Sequence, residues 1–449
     1  MSSETTFGQN SWLVDEMFQQ FQEDPSSVDE EWRELFEQKG APKTAKNASH
    51  VAPTKESTAT AKTDPEVARS TAAPSQDGRE TRVDQAAKIT ATKPKSAASK
   101  PKPKTSPLDN IGNITVEPGE TLLKGAFKAI AKNMNESLEV PTATTVRDMP
   151  VKLMFENRAL VNDHMKRNRG GKISFTHIIG YAIVQATKLH PDMNKSYREE
   201  EKKSFAVQPE HINLGLAIDL PQKDGSRSLV VAAIKECETL TFEQFVAAYE
   251  DVVERARIGK LTMDDFSGVT IQLTNPGGIG TRHSIPRLTK GQGTIVGVGA
   301  MDYPAEFAGA SEDRLAELGV GKLVTLTSTY DHRVIQGAES GEFLRDISQL
   351  LVDDKFWDHI FESLSIPYSP LRWAQDLPNA GINKDTRVMQ LIQAYRSRGH
   401  LIADINPLRW QQPGLPKPDS RDLLIETHGL TIWDLDRTFH VGGLVAKKR

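Results

Sequence analysis

The stretch from Leu323 to Leu344 constrains the fold more than any other. Val324, Leu326, Ser328 and Tyr330 alternate with Leu323, Thr325, Thr327 and Thr329. This period-two run predicts a short, largely buried strand. The strand enters Asp331-His332-Arg333, and Gly337 then precedes a segment in which Phe343, Leu344, Ile347, Leu350 and Leu351 recur at helical spacing. Strand, turn and helix follow in direct succession, and the turn holds a histidine between two rigid elements. Such a placement can fix the ring's position and tautomer, which is what a general base needs. On these residues alone, a turn histidine without a role is the competing reading.

A chain of 449 residues has room for two or three domains. Its apolar content of 37% is low for a fully globular chain, so part of it is expected to be unfolded. That part is 39–107, rich in Ala, Lys, Thr, Ser and Pro, with KPKSAASKPKPKTSP from Lys93 as its clearest portion. It has too few large apolar residues for a core and reads as an extended tether. A nucleic-acid tail is the rival reading of its lysines. The net charge of −4, with both signs interspersed, leaves no nucleic-acid footprint. A single cysteine, Cys237, excludes an internal disulfide and fits a reducing compartment. No apolar run approaches ~18 residues and the start carries no signal-peptide pattern, so no membrane span is expected and the location reads as cytoplasmic.

Before the tether, residues 1–38 hold two short apolar stripes, Trp12, Leu13, Met17, Phe18 and Phe21, then Trp32, Leu35 and Phe36 beyond the break at Pro25. Two helices of this size cannot bury a core of their own, which points to a helical docking segment. After the tether, 108–373 reads as the globular body. Leu122, Leu123, Ala126, Ile130 and Met134 fit an opening helix, and Thr176 to Leu189 a second, mostly apolar one. Strands are expected at Ile212–Ile218 and Leu229–Ile234, joined through Lys223-Asp224-Gly225, and at Val269–Thr274 and Thr294–Val298. Thr241 and Gln244 form a capping box for a helix carrying Phe242, Phe245, Val246, Tyr249, Val252 and Val253. Helices and strands without a regular βαβ repeat predict an α+β fold with a mixed sheet.

YDHRVIQGAESGEFL resembles the signature of the acyltransferase component of 2-oxo acid dehydrogenase complexes, usually D-H-R-x-x-D-G-A followed by an F-L helix. IQLTNPGGIGT resembles that family's I-[ST]-N-x-G loop, and Gly259-Lys-Leu-Thr-Met-Asp-Asp-Phe266 its G-K-L-x-x-x-D stretch. The resemblance implies a chloramphenicol acetyltransferase-like fold for the body. NSWLVDEMFQQFQEDPSSVDEEWRELF is similar to the N-terminal segment of 2-oxoglutarate dehydrogenase decarboxylase components. TRVMQLIQAYRSRGHLIADINPL from Thr386, with LTIWDLDRTFHVGGL after it, is similar to the start of that component. This order is the layout of the fused 2-oxoglutarate dehydrogenases of actinobacteria, so 374–449 is expected to be a truncated decarboxylase start. Thiamine diphosphate and Mg would then belong to the part beyond Arg449.

The implied reaction passes a succinyl group between a dihydrolipoyl thioester and coenzyme A in the tricarboxylic acid cycle. The family's base falls on His332 and its oxyanion hydroxyl on Thr274, with Asp331, Arg333, Gln336 and Gly337 supporting them. Taken alone, Thr274 is simply a β-former. The pattern is broken at Gln336, where the family has a second aspartate, and at Phe127, where that aspartate's arginine partner is expected. Losing both leaves no unpaired charge. Thr142 stands where many relatives carry histidine, so the residues that bind coenzyme A are left unassigned. The Asn275–Gly280 loop lacks the following Gly-Lys-Ser/Thr of a phosphate cradle. Eleven histidines show no ligand spacing, and no metal is expected. No lipoyl module precedes the body, so the lipoyl group must come from another protein. The implied partners are further copies in a homotrimer or larger assembly, a lipoyl-bearing acyltransferase and dihydrolipoamide dehydrogenase. A scaffold that keeps the fold with little or no transferase activity is the alternative from another class. A free small-molecule acetyltransferase is a third.

Overall fold

A computed structural model of the chain describes residues 33, 123, 126–168, 170–221, 227–376, 383–403 and 421–443. Apart from Arg33, the segments read as docking region and tether lie outside the described residues, as do the turn at 223–225 and the side chain of Phe127. The elements run α1 (Ala126–Ser137), β1 (Thr142–Pro150), α2 (Lys152–Asn168), α3 (Phe175–Leu189), β2 (Ser196–Glu200), β3 (Lys203–Val207), β4 (Leu214–Pro221), β5 (Arg227–Ile234) and α4 (Phe242–Arg257). They continue with β6 (Ile271–Thr274), β7 (Thr294–Asp302), α5 (Glu312–Leu318), β8 (Leu323–Asp331), α6 (Gly337–Leu350), α7 (Asp354–Ser363) and α8 (Lys384–Arg398).

Six strands form one sheet in the order β1-β8-β7-β6-β4-β5, and β2 and β3 form a separate hairpin. β6 is parallel to both of its neighbours, and every other pair is antiparallel. The sheet is mixed and the class α+β, as the sequence predicts. β4 and β6 each begin two residues later than their apolar pattern, at Leu214 and Ile271.

α3, α4 and α6 each bury an apolar face in the core. On α6 that face is Phe343, Leu344 and Ile347, all fully buried. Ser340 adds a buried hydroxyl–hydroxyl bond to Ser328 of β8 (3.0 Å). α3 buries Ile178, Ile179, Ala182 and Ile183. It is capped by Ser174, whose hydroxyl accepts from the His177 N–H (3.2 Å), while His177 Nδ1 accepts from the Ser174 N–H (3.3 Å). α4 starts on the expected Thr241–Gln244 capping box. The opening helix differs from expectation: Ile130 and Met134 are 40% and 36% exposed, because no described part of this chain covers that side.

Sequence composition places a boundary at 373, yet residues 421–443 share the body's core. Ile432 is fully buried in it, a contribution of roughly 1.5–3 kcal/mol. Trp433 Nε1 donates to the Ala374 carbonyl (2.8 Å) and its ring meets Trp373 edge-on. Buried Asp434 accepts from Lys384 (2.6 Å) and Arg437 (3.0 Å), and Arg437 also pairs with Asp376. Lys152 on α2 reaches Asp436 and Glu156, each at 2.6 Å. Among the described residues no helix is long and apolar enough to cross a membrane.

Candidate active site

The end of β8 is fixed from three directions. The Asp331 N–H donates to the Gly293 carbonyl and the His332 N–H to the Pro141 carbonyl, each at 3.0 Å. Asp331 itself is 1% exposed, and Arg333 closes on it bidentately, Nε to Oδ1 at 2.8 Å and Nη2 to Oδ2 at 2.6 Å. The Arg333 N–H adds a third bond to Oδ1 (3.1 Å). This fork-to-fork geometry is the strong form of a charged pair, and the carboxylate holds Arg333 above the ordinary arginine range. Asp331 and Arg333 thus fold against each other, and the intervening His332 projects outward.

His332 is exposed, with its ring edge-on to Tyr330 at 5.6 Å between centroids. Its backbone is tied to the strands on either side by the two main-chain bonds. Among the described residues neither ring nitrogen has a hydrogen-bond partner that would set the tautomer. Gly337 opens α6 where a Cβ would come within 3.3 Å of the Tyr330 hydroxyl, so a small residue keeps the turn close. Gln336 is exposed and caps α6 with its N–H donating to Glu339 (3.0 Å), a helix-end role that does not need the family's aspartate. Thr142 lies opposite Asp331 in the β1–β8 register, directly beside the histidine turn. Nothing in the residue pattern of 142–150 marks this segment as a strand along the site.

Thr274 ends β6 half-buried, and its hydroxyl has no partner among the described residues, leaving it able to donate. The loop beyond it is pinned. Asn275 Nδ2 donates to Thr176 Oγ1 at the start of α3 (2.8 Å), and Asn275 Oδ1 accepts from the Gly277 N–H (3.1 Å). A Cβ on Gly277 would overlap the Gly299 carbonyl, and one on Gly299 would overlap the Arg282 carbonyl. Glycine at both positions lets the loop lie directly on β7.

The two candidates do not meet within one chain. Thr274 is level with Gly297, and Gly297 with Thr327. His332 lies five positions further along β8, roughly 16 Å at about 3.3 Å per residue, and two strand spacings of about 4.8 Å separate them laterally. Side chains of their length cannot close such a gap. Among the described residues no group of His, Cys, Asp and Glu could hold a metal ion. Cys237 is buried and its thiol is pushed up to about 12 by burial, which makes it inert at neutral pH.

Residues 117–357 match the family of 2-oxoacid dehydrogenases acyltransferase (catalytic domain), and residues 3–41 match the 2-oxoglutarate dehydrogenase N-terminus. The chain is 66% identical over 448 residues to the 2-oxoglutarate dehydrogenase E1/E2 component of Corynebacterium glutamicum, covering 100% of this chain and 35% of that protein. It is 55% identical over 459 residues to the multifunctional 2-oxoglutarate metabolism enzyme of Mycolicibacterium vanbaalenii, covering 100% and 36%. The chain therefore spans about a third of the length of the curated relatives it matches. Among solved structures, a probable dihydrolipoamide acetyltransferase from Listeria monocytogenes is similar over 53% of this chain and 95% of that one, at 24% identity and a TM-score of 0.45.

Proposed function

The chain belongs to the family of 2-oxoacid dehydrogenase acyltransferases (catalytic domain), and from that premise we propose that residues 108–373 transfer a succinyl group between a dihydrolipoyl thioester and coenzyme A. The names of the relatives support the 2-oxoglutarate dehydrogenase complex as the setting. The observation that carries the reading is the exposed His332 held between a locked Asp331–Arg333 pair, inside the span that matches the family.

A thiol of coenzyme A titrates near ~8.5 and is mostly protonated at neutral pH. His332 takes its proton, and the thiolate sulfur attacks the thioester carbonyl. Thr274 donates its hydroxyl to the oxyanion that forms. Collapse of the intermediate breaks the bond to the dihydrolipoyl sulfur, which receives the proton back from His332. Because the two side chains stand far apart along the sheet, the working site takes His332 from one copy and Thr274 from a neighbour. A closed homotrimer repeats that contact without open ends. The lipoyl group comes from another protein of the complex, a lipoyl-bearing acyltransferase, and dihydrolipoamide dehydrogenase re-oxidises the dihydrolipoyl group. In the same reading, 1–38 is a docking segment, 39–107 a tether and 374–449 the start of a decarboxylase component whose thiamine diphosphate and Mg site lies outside this sequence. The location is cytoplasmic.

The test is coenzyme A-dependent transfer from S-succinyldihydrolipoamide by the purified chain, with the acetyl thioester for comparison. Turnover with the succinyl donor preferred is the expected result. A correctly assembled chain without transfer is a scaffold, and the reading falls.

A further inference from the structure

The Asp331–Arg333 pair has a third member that belongs to neither the strand nor the helix around it. Tyr197, on β2 of the hairpin, lays its ring against the Arg333 guanidinium, with 3.8 Å between the guanidinium carbon and the ring centroid. One face of the cation is therefore covered while its edge is committed to Asp331. The ring is itself held: its hydroxyl bonds Ser204 across the hairpin (2.8 Å) and donates to Glu199 (3.2 Å). The root of the hairpin is equally firm. Buried Thr294 Oγ1 donates to the Met193 carbonyl (2.8 Å), and a Cβ on Gly293 would overlap the Lys195 carbonyl. Gly293 is also the residue whose carbonyl receives the Asp331 N–H. The hairpin thus reaches the histidine turn directly through the stacked ring, and its root packs on Gly293, whose carbonyl holds the turn.

The Arg333 side chain keeps 28% of its surface exposed, so water still competes for its hydrogen bonds even in a bidentate pair. Covering one face of the cation with an aromatic ring strengthens the pair, both by cation–π attraction and by excluding water from that side. Arg333 is adjacent to His332, so its freedom is the freedom of the turn.

We propose that Tyr197 is a positioning residue for the acyl-transfer reaction: its ring clasps Arg333 to Asp331 and thereby holds His332 in place. The proposal rests on the reading of His332 as the base. Tyr197 does not touch the reacting atoms and acts only through the turn.

The experiment measures succinyl transfer by the whole chain carrying Tyr197→Leu, Tyr197→Phe or Tyr197→Trp, each alone and in a His332→Ala background. Tyr197→Leu keeps bulk but removes the π face and should lower kcat roughly three- to tenfold with KM unchanged. Tyr197→Phe and Tyr197→Trp keep the ring and should restore kcat to within about twofold. With His332→Ala already present, Tyr197→Leu should cost nothing further, because both act through one group. A Tyr197→Leu enzyme within twofold of the parent overturns the proposal. So does an equal loss in Tyr197→Phe, a change confined to KM, or a further loss beyond that of His332→Ala. Full activity in His332→Ala alone instead overturns the assignment of the base, and is read separately.

Discussion

The two regions of the sheet that carry the candidate groups are built on opposite physical plans. At the His332 end, position is set by charge: a buried carboxylate, a bidentate guanidinium and a ring stacked upon it. At the Thr274 end, position is set by backbone contact. Gly277 and Gly299 let the loop lie on β7, and one amide–hydroxyl bond ties it to α3. A base must sit at a fixed point without losing its proton-accepting nitrogen, and charges on its neighbours hold the main chain while leaving the ring free. A hydroxyl that donates to an oxyanion needs only to be presented rigidly, and close packing does that without introducing a charge near the developing negative oxygen. The first end should accordingly fail when an electrostatic partner is removed, the second when a few cubic ångströms are added.

The largest effects come from deleting the groups themselves. His332→Ala should reduce transfer by about 10² to 10⁴. Stability should move by less than about 0.5 kcal/mol, since the ring is exposed. Transfer rates set beside a urea melt decide this, and unchanged turnover removes the residue from the mechanism. Thr274→Val should lower kcat by about 10² to 10³ with KM little changed, because its bond is made chiefly in the transition state. Unfolding the two variants together and reassembling them should return part of the lost activity, as one intact His332 can then face one intact Thr274. Verified mixed assemblies without recovery place both groups in one chain, against the separation along the sheet.

The next effect distinguishes the two ends directly. Gly299→Ala forces a methyl group into the Arg282 carbonyl, where the Ala300 N–H also binds Thr281 (2.7 Å). It should destabilise the fold by about 1–3 kcal/mol and depress kcat through Thr274 while thiol deprotonation is untouched. A denaturation midpoint equal to the parent's breaks the claim that glycines set this end.

Much of this is legible in the sequence alone. The alternation in 323–330 and the spacing in 343–351 specify β8 and α6 because each element answers to one strong local period. The Thr241–Gln244 box marks its helix for the same reason. The candidate residues themselves came from motif resemblance rather than from pattern. What escaped was non-local. Thr142–Pro150 carries no alternation, and it is a strand only because the edge of β8 accepts it. The hairpin at 196–207 is dominated by charges, and its turn uses Glu201 and Lys202 at positive φ, where glycine or asparagine would have given the signal. The burial of Ile432 could not be foreseen from a segment whose composition differs from that of the body. His177 was invisible as a cap because the usual box ends in Glu or Gln rather than His.

That last residue gives the smallest prediction, and it concerns the Thr274 end alone. His177 is 1% exposed, and burial, with Arg158 nearby, lowers its pKa from 6.5 to about 4. Glu250 lies 3.1 Å from Nε2, an arrangement that would usually raise the value. Two facts decide the sign. The Glu250 side chain is 57% exposed and its charge is screened by water. Nδ1 meanwhile accepts the Ser174 N–H and so cannot carry a proton. The folded ring is neutral, with Nε2–H donating to Glu250. Protonation favours the unfolded chain, so this contribution is complete above pH 6.5, declines below it and is lost as pH falls through about 4. The arithmetic of two pKa values gives about 1 kcal/mol lost by roughly pH 6, and about 3 kcal/mol by the lower limit. The His177 cap begins the helix whose Thr176 holds Asn275. Mild acid should therefore loosen the Thr274 loop before the turn closed by the Asp331–Arg333 pair. Hydrogen exchange of the 174–178 and 275–281 amides between pH 7 and about 5.5, corrected for intrinsic rates, reads this directly. In His177→Gln, which can cap without titrating, the acid-dependent part should vanish. If 331–334 loosens first, or if the glutamine variant keeps the same acid sensitivity, the contrast between the two ends does not extend to pH.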